Sequence, residues 1–371
     1  MGKQTSPKAW ISSHGGVSEA IALAATKYEM LGLDFTKIVK PSSPCFVTAG
    51  SKSGNGTVTS AMSFSTIFIA VITALVAIVG GFLNGASALL LLRLKMFRNP
   101  FGYLMVLHSL SNLGLLVLFL IWATPITLFG LPKGWEKLND FVGQLSLFFQ
   151  TSSFHAMLFI SMNRLTSIAR PLSYSRYFSI QNTLYIVIFV IILSLLYFCI
   201  YFHPQCSFYF DESSMMWSFS ATACGNTLAF CIDFCYNVAL FALIMIFDIA
   251  TLTLLRKANQ RQGALGNYNT SVSHRREIKF FFQTFANSIT YCLMLVSFHV
   301  IARIVPAGIC VVLATTTAWE LAHAGGGVIL VAFNREIRKR LLRPWKENTT
   351  GITVMQTIAR FSRDLPPVSS K

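Results

Sequence analysis

Residues Phe64–Leu92 read FSTIFIAVITALVAIVGGFLNGASALLLL, a run without one charged side chain. A helix needs about 20 largely apolar residues to cross about 30 Å of hydrocarbon, so this run predicts a membrane span. Six similar runs follow: Tyr103–Phe129, Val142–Met162, Leu184–Phe202, Thr227–Leu255, Phe280–Ile301 and Ile309–Phe333. Strands of a membrane barrel alternate in polarity and are about half as long, so these lengths predict helices. The fold class expected is all-α, an integral membrane bundle of seven transmembrane helices. Composition agrees: the 371 residues are 54% hydrophobic and only 12% charged, against about 25% charged in a soluble domain. The third and sixth runs contain Gln, Ser, Thr, Asn and His, which predicts interior helices.

The net charge of +16 raises the question of nucleic acid. The pattern excludes it, because Lys and Arg fall in short clusters between apolar runs rather than in one basic domain. Twelve lie in the short loops on one side: Arg93, Lys95, Arg98, Arg164, Arg170, Arg176, Arg256, Lys257, Arg261, Arg275, Arg276 and Lys279. The other side has three, Lys133, Lys137 and Arg303. Basic residues beside spans mark the cytoplasmic side. The expectation is a multi-pass plasma-membrane protein with its amino terminus outside and its carboxyl terminus in the cytoplasm.

This divides the chain into an extracellular segment 1–62, a bundle 63–333, a helix 334–345 and a flexible cytoplasmic tail 346–371. Segment 1–62 is rich in Ser, Gly and Ala without a convincing core, so disorder is expected. Its Asn55-Gly56-Thr57 is a glycosylation acceptor on the outer side. After the last span, Phe333, Ile337, Leu341, Leu342 and Trp345 share one helical face, with Arg335, Arg338, Lys339, Arg340 and Arg343 on the others. That predicts an amphipathic helix on the inner leaflet of the bilayer.

The third run ends in Asn163-Arg164-Leu165-Thr166-Ser167-Ile168-Ala169-Arg170-Pro171-Leu172. Arg at the cytoplasmic end of the third helix, Ile four residues on and Pro three beyond resemble the rhodopsin-like receptor signature Asp-Arg-Tyr-x-x-Ile-x-x-Pro-Leu, with Asn163 in place of Asp. Further marks follow in order. They are Arg98-Asn99-Pro100-Phe101-Gly102, Pro171-Leu172-Ser173-Tyr174-Ser175, Cys224-Gly225, Ile232-Asp233-Phe234, Arg275-Arg276-Glu277-Ile278-Lys279, Trp319-Glu320-Leu321-Ala322-His323 and Phe333-Asn334-Arg335-Glu336-Ile337. From Phe64 to Arg343 the chain resembles the nematode serpentine receptor class x, a chemoreceptor-like group.

The resemblance implies a G-protein-coupled receptor for an extracellular small molecule or peptide, with a heterotrimeric G protein as partner. It implies that Asn163, Arg164, Ile168 and Pro171 serve coupling. Three common receptor features are missing: a Cys at the outer end of the third helix, Asn-Pro-x-x-Tyr in the seventh and Trp-x-Pro in the sixth. Cys206 and Cys224 both lie in the outer loop before the fifth run. With no Cys on the third helix they are expected to bond to each other, with Cys45 as the competing outer thiol. In the seventh run, Gly325-Gly326-Gly327 reads equally as a soft point and as a site of close helix packing.

Asp233, Asp248, Glu320, His155, His299 and His323 lie within predicted spans. A charge at mid-bilayer costs about 2.5–3.5 kcal/mol on insertion scales, so these groups should face the interior. Glu320 and His323 share a helix face with Trp319 beside them. These three, with Asp233 and Trp217 of the outer loop, are the expected ligand-binding set, against the plainer role of interhelical hydrogen bonding. Asp248, deeper in the fifth span, reads as structural, and Asn84 is expected to bond Asn112.

The alternative function is a seven-helix transporter or ion channel using the intramembrane Asp, Glu and His. Absence of an internal repeat argues against it. No Ser/His pair, Gly-x-Gly-Asp-like dyad or His-Glu-x-x-His is present, so no enzyme is expected. No cofactor is expected, and no Cys or His spacing predicts a metal site.

Overall fold

The computed structural model describes residues 64–203, 205–264, 268–306 and 308–342. The expectations for residues 1–62 with Asn55, for Cys45, for Arg343 and Trp345 and for the tail beyond lie outside them. Helix α1 is Phe64–Arg93, α2 Pro100–Phe129, α3 Glu136–Ala169 and α4 Ile180–Ile200. Helix α5 runs unbroken through Ala223–Thr227, Leu228–Tyr236 and Asn237–Ala264. Helix α6 joins Tyr268–Val296, Ser297–Ile301 and Ala302–Ile304. Helix α7 joins Ile309–Val312, Leu313–Thr317 and Ala318–Phe333, and α8 is Arg335–Leu342. Between α4 and α5 the chain adds an antiparallel hairpin that its apolar pattern did not announce, β1 Phe208–Asp211 with β2 Met216–Phe219.

Among the described residues, α1 to α6 are long and apolar enough to cross a membrane. Helix α7 is less apolar because it carries Thr315, Thr316, Thr317, Glu320 and His323. All five are buried, so they face protein rather than lipid. Helices α2, α4 and α5 begin where the sequence supplies caps. Asn99 accepts from Gly102 N at 2.9 Å ahead of Pro100, Ser179 accepts from Asn182 N at 3.0 Å, and Thr222 accepts from Gly225 N at 3.0 Å. Each satisfies a backbone donor that the first turn leaves without a partner.

Helix α3 is the axis of the bundle: 67% of its most apolar stretch is buried, against 17% in α4. Leu184, Ile188, Ile192 and Leu195 of α4 are all exposed, at the spacing of one helical face. In a bilayer that face meets acyl chains. Helix α8 starts at Asn334, whose carbonyl side chain accepts from Glu336 N and Ile337 N. Ile337 is buried in an apolar cluster with Leu91, Phe101 and Leu330.

Three helices meet closely at glycines. A Cβ on Gly80 of α1 would stand 2.4 Å from the Cβ of Ala324 in α7. A Cβ on Gly326 would stand 2.5 Å from Asn112 Nδ2, and one on Gly327 2.8 Å from the backbone nitrogen of Asn84. Two of the three consecutive glycines thus serve close packing, the small-residue device of membrane helices. Gly80→Ala should lower the thermal midpoint of the purified protein in detergent by several degrees, an overpacking cost of about 1–3 kcal/mol. Adding Ala324→Gly should recover part of that loss. An unchanged midpoint in Gly80→Ala would mean that α1 and α7 are not held at this distance.

Candidate functional site

The bundle has two ends, one capped by the hairpin and one carrying Arg164. The hairpin is fastened from several sides. Asn139 near the start of α3 behaves like a strand neighbour: its Nδ2 donates to Phe210 O at 2.9 Å and its Oδ1 accepts from Phe210 N at 3.2 Å. The same Oδ1 accepts from Trp122 Nε1 at 2.9 Å. Gly143 lets the hairpin down onto α3, since a Cβ there would stand 1.9 Å from Phe208 O. Thr316 of α7 donates to Met215 O at 3.3 Å, and Leu131 N donates to Glu212 Oε2. Cys206 and Cys224 are disulfide-bonded, Cα to Cα 5.1 Å, which ties the hairpin's base to the start of α5.

Beneath the hairpin is a small cavity of about 20 Å³. Its apolar wall is Leu147 of α3 with Met294, Leu295 and Phe298 of α6, and Phe208 closes it from the hairpin. Its polar groups are Gln150, Asp233, His299 and Trp319, from α3, α5, α6 and α7. Asp233 is the centre of that polar side. Its Oδ1 accepts from Gln150 Nε2 at 3.1 Å and from Asn237 Nδ2 at 3.3 Å. Its Oδ2 lies 3.3 Å from His299 Nε2, at an angle that makes no hydrogen bond.

Backbone geometry aims these groups. Leu228–Tyr236, Ser297–Ile301 and Leu313–Thr317 are π-helical. They hold Asp233 in the first, Phe298 and His299 in the second, and end two residues before Trp319. Single π turns inside α-helices are frequent at functional sites. Here two carry residues of one cavity, and the third ends just before another of its residues.

Of the expected ligand set, the cavity brings together Asp233 and Trp319. Trp217 stands behind them, its ring 6.0 Å from that of Trp319, and Phe119 packs on both. Glu320 and His323 do not line it. Glu320 is fully buried, and neither carboxyl oxygen makes a well-formed hydrogen bond among the described residues, with the Ala77 backbone as its polar neighbour. Sequence reading noted His299 among the intramembrane polar groups but gave neither it nor Gln150 a role. The signal available was an amide and an imidazole inside otherwise apolar runs.

His323 belongs to a second constellation, built on Asn112 of α2. Asn112 Oδ1 accepts from Ser153 Oγ at 2.7 Å, His323 Nδ1 at 2.8 Å and Tyr291 Oη at 3.1 Å. Asn112 Nδ2 faces His108 Nε2 at 3.2 Å, and His108 Nδ1 faces Ser153 O at 3.3 Å. One assignment of protons satisfies all five contacts: Nδ1 carries the hydrogen in both imidazoles. His108, Asn112, Ser153, Tyr291 and His323 are all at most 1% exposed. Asn84 does not bond Asn112 as expected. Its Nδ2 donates to Gly80 O and His323 O instead, because the imidazole, the tyrosine and the serine already occupy the Asn112 carbonyl. Farther along, Asp248 of α5 accepts from Ser161 of α3 at 2.9 Å and from Ser288 of α6 at 3.1 Å.

At the other end, Arg164 is 6% exposed and lies over the Phe101 ring, 3.7 Å from its centroid. Asn163 Nδ2 donates to Tyr174 Oη at 3.0 Å. Ile168 is half-buried and Pro171 exposed, opening a short turn that leads to α4.

Asn112→Ala would remove the acceptor that three buried donors share, so it should abolish surface display or lower the thermal midpoint severely. Tyr291→Phe removes only one donor, at about 0.6–1.7 kcal/mol for an interhelical hydrogen bond in a membrane, and should fold. Equal thermal midpoints for the two variants would show that Asn112 is not the junction.

The family described as "Serpentine type 7TM GPCR chemoreceptor Srx" matches residues 74–334. A curated relative, "Serpentine receptor class X 45" of Caenorhabditis elegans, is 23% identical over 296 residues, which is 76% of this chain and 82% of that one. Among solved structures, squid rhodopsin superposes with a TM-score of 0.63 at 14% identity, covering 77% of this chain and 87% of its own. That likeness concerns the fold.

Proposed function

Because the chain belongs to the serpentine Srx chemoreceptor family, we propose that it is a G-protein-coupled chemoreceptor of the plasma membrane. In this reading the hairpin end is extracellular, and the Arg164 end with α8 is cytoplasmic. The twelve-to-three division of basic loop residues supports that orientation. So does the Cys206–Cys224 bond, which suits an oxidising compartment.

The observation that carries the reading is the cavity. A carboxylate and an indole from two helices face one small space beneath a tethered hairpin, where a polar group of a small molecule or of a peptide end can enter. Asp233 and Trp319 contact the ligand in this reading, and Trp217 sets the position of Trp319. Glu320 and His323 act from behind that wall. A ligand that binds one helix arrangement more tightly shifts the population towards it. Arg164 then presents a planar, permanently charged fork to the G protein, with Asn163, Ile168 and Pro171 shaping the surface around it.

The test uses the full chain in cells supplied with a promiscuous G protein. Screened against odorant and peptide pools, it should give a ligand-dependent response. Arg164→Ala should abolish that response, and Arg164→Lys should weaken it, at matched surface display. An epitope within Lys133–Asp140 should be reachable in intact cells, and one at residues 259–269 should not. A full response from Arg164→Ala, or the reverse epitope pattern, would overturn the reading.

A further inference from the structure

We infer that the cavity takes a small cationic amine, and that the ligand's ammonium replaces His299 at Asp233; this rests on the reading of the cavity as the ligand site. Asp233 is the one acidic residue lining it among the described residues, and no Lys or Arg joins it there. The carboxylate is 6% exposed and sits among Leu147, Met294, Leu295 and Phe298. An anion in such walls is costly unless a cation is close.

The partner present is poorly aligned. His299 Nε2 lies 3.3 Å from Oδ2 without the alignment of a hydrogen bond. An imidazole on a helix can offer its N–H along one direction only. An ammonium offers three donors that turn freely about its C–N bond. It can meet Oδ2 squarely and reach the amide oxygen of Gln150, whose Nε2 already serves Oδ1. Phe208, Phe298 and Trp319 offer aromatic rings around it, which attract a cation electrostatically. The space is about that of one water molecule, which suits the shortest alkylammonium ions.

The exchange also has a mechanical consequence. The Asp233–His299 contact joins α5 to α6 at the hairpin end. A ligand that takes Oδ2 releases His299, and with it the tie between the two helices. Binding energy is thereby spent on separating α5 from α6, which is the differential interaction a population shift requires.

The test is a thermal-shift titration of the purified full chain in nanodiscs. Probes are methylammonium through butylammonium chloride, each paired with the alcohol of the same chain length and with potassium chloride at equal ionic strength. The amines should raise the midpoint with concentration and the alcohols should not. Asp233→Asn is nearly isosteric and should weaken the amine by about 30-fold. His299→Gln removes the competitor and should strengthen amine binding several-fold, which a merely structural role for His299 would not do.

Leu295→Trp, which fills the cavity, separates the two readings. If amines and alcohols act equally and both effects vanish in Leu295→Trp, the cavity remains the ligand site and the amine assignment falls. If the amine effect survives both Asp233→Asn and Leu295→Trp, both readings fall. No shift from any amine also overturns the inference.

Discussion

Helices in a bilayer gain nothing by hiding apolar surface from one another, because lipid tails are as apolar as leucine. Something else must choose one arrangement, and here it is one amide carbonyl. Asn112 Oδ1 accepts from α3, α6 and α7 while its own helix is α2. An unsatisfied polar group inside hydrocarbon costs several kcal/mol, so each donor is compelled to find that oxygen. Four helices are brought into register by the same compulsion. Glycine then sets how near they come: Gly326 passes Asn112, and Gly327 passes Asn84. The His323 carbonyl, reached by Asn84 Nδ2, adds α1 to the group.

With the middle of the bundle fixed in this way, the hairpin end is free to be irregular. Two π-helical segments there depart from regular α geometry and direct Asp233, His299 and Phe298 inward. The hairpin fills the space over them with rings rather than with charge. Phe208 and Trp217 stack 6.0 Å apart, and both pack on Trp319. Asn139 holds this layer by bonding both polar groups of the Phe210 backbone. The lid is thus registered against α3 as a third strand would be. The cavity beneath it exists because the rings are held from above and the helices from below.

Much of this was legible in the sequence, and the reasons are physical. Spans announce themselves because hydrocarbon tolerates so few residue types, and the motif order around Arg164 carried the family. Cys206 and Cys224 were readable as partners because few thiols share their side of the membrane. The burial of Glu320 and His323 was also readable, since lipid excludes them. Their neighbours were not. Which polar group meets which depends on helix rotation, and seven apolar runs do not encode rotation in any simple period. Asn84 went to the His323 carbonyl for this reason, and the cavity recruited Gln150 and His299 instead of Glu320. The π turns were hidden as well, because no sequence signal marks a single extra residue in a turn. Gly325–Gly327 left softness and packing equally open until the positions of Asn84 and Asn112 decided for packing.

The arrangement of polar contacts also constrains how one end can affect the other. Helix α6 meets its neighbours through polar groups at several levels, among them His299 with Asp233, Tyr291 with Asn112, and Ser288 with Asp248. Residues 299, 291 and 288 lie along one helix, and their partners are on α5, α2 and α5. A displacement of α6 at the hairpin end therefore cannot fade into soft side-chain packing. It must break or carry along the Tyr291 bond, and then the Asp248 bond, before it reaches the end where Arg164 lies. Asp248 is also held by Ser161, three residues before Arg164 on α3. The Asp248 link of α6 is thus shared with the helix that ends in Arg164. Hydrogen bonds of this kind are discrete, made or unmade, and so give two states rather than a continuum. The residue that holds the bundle together at its centre is also the one through which motion of α6 has to pass.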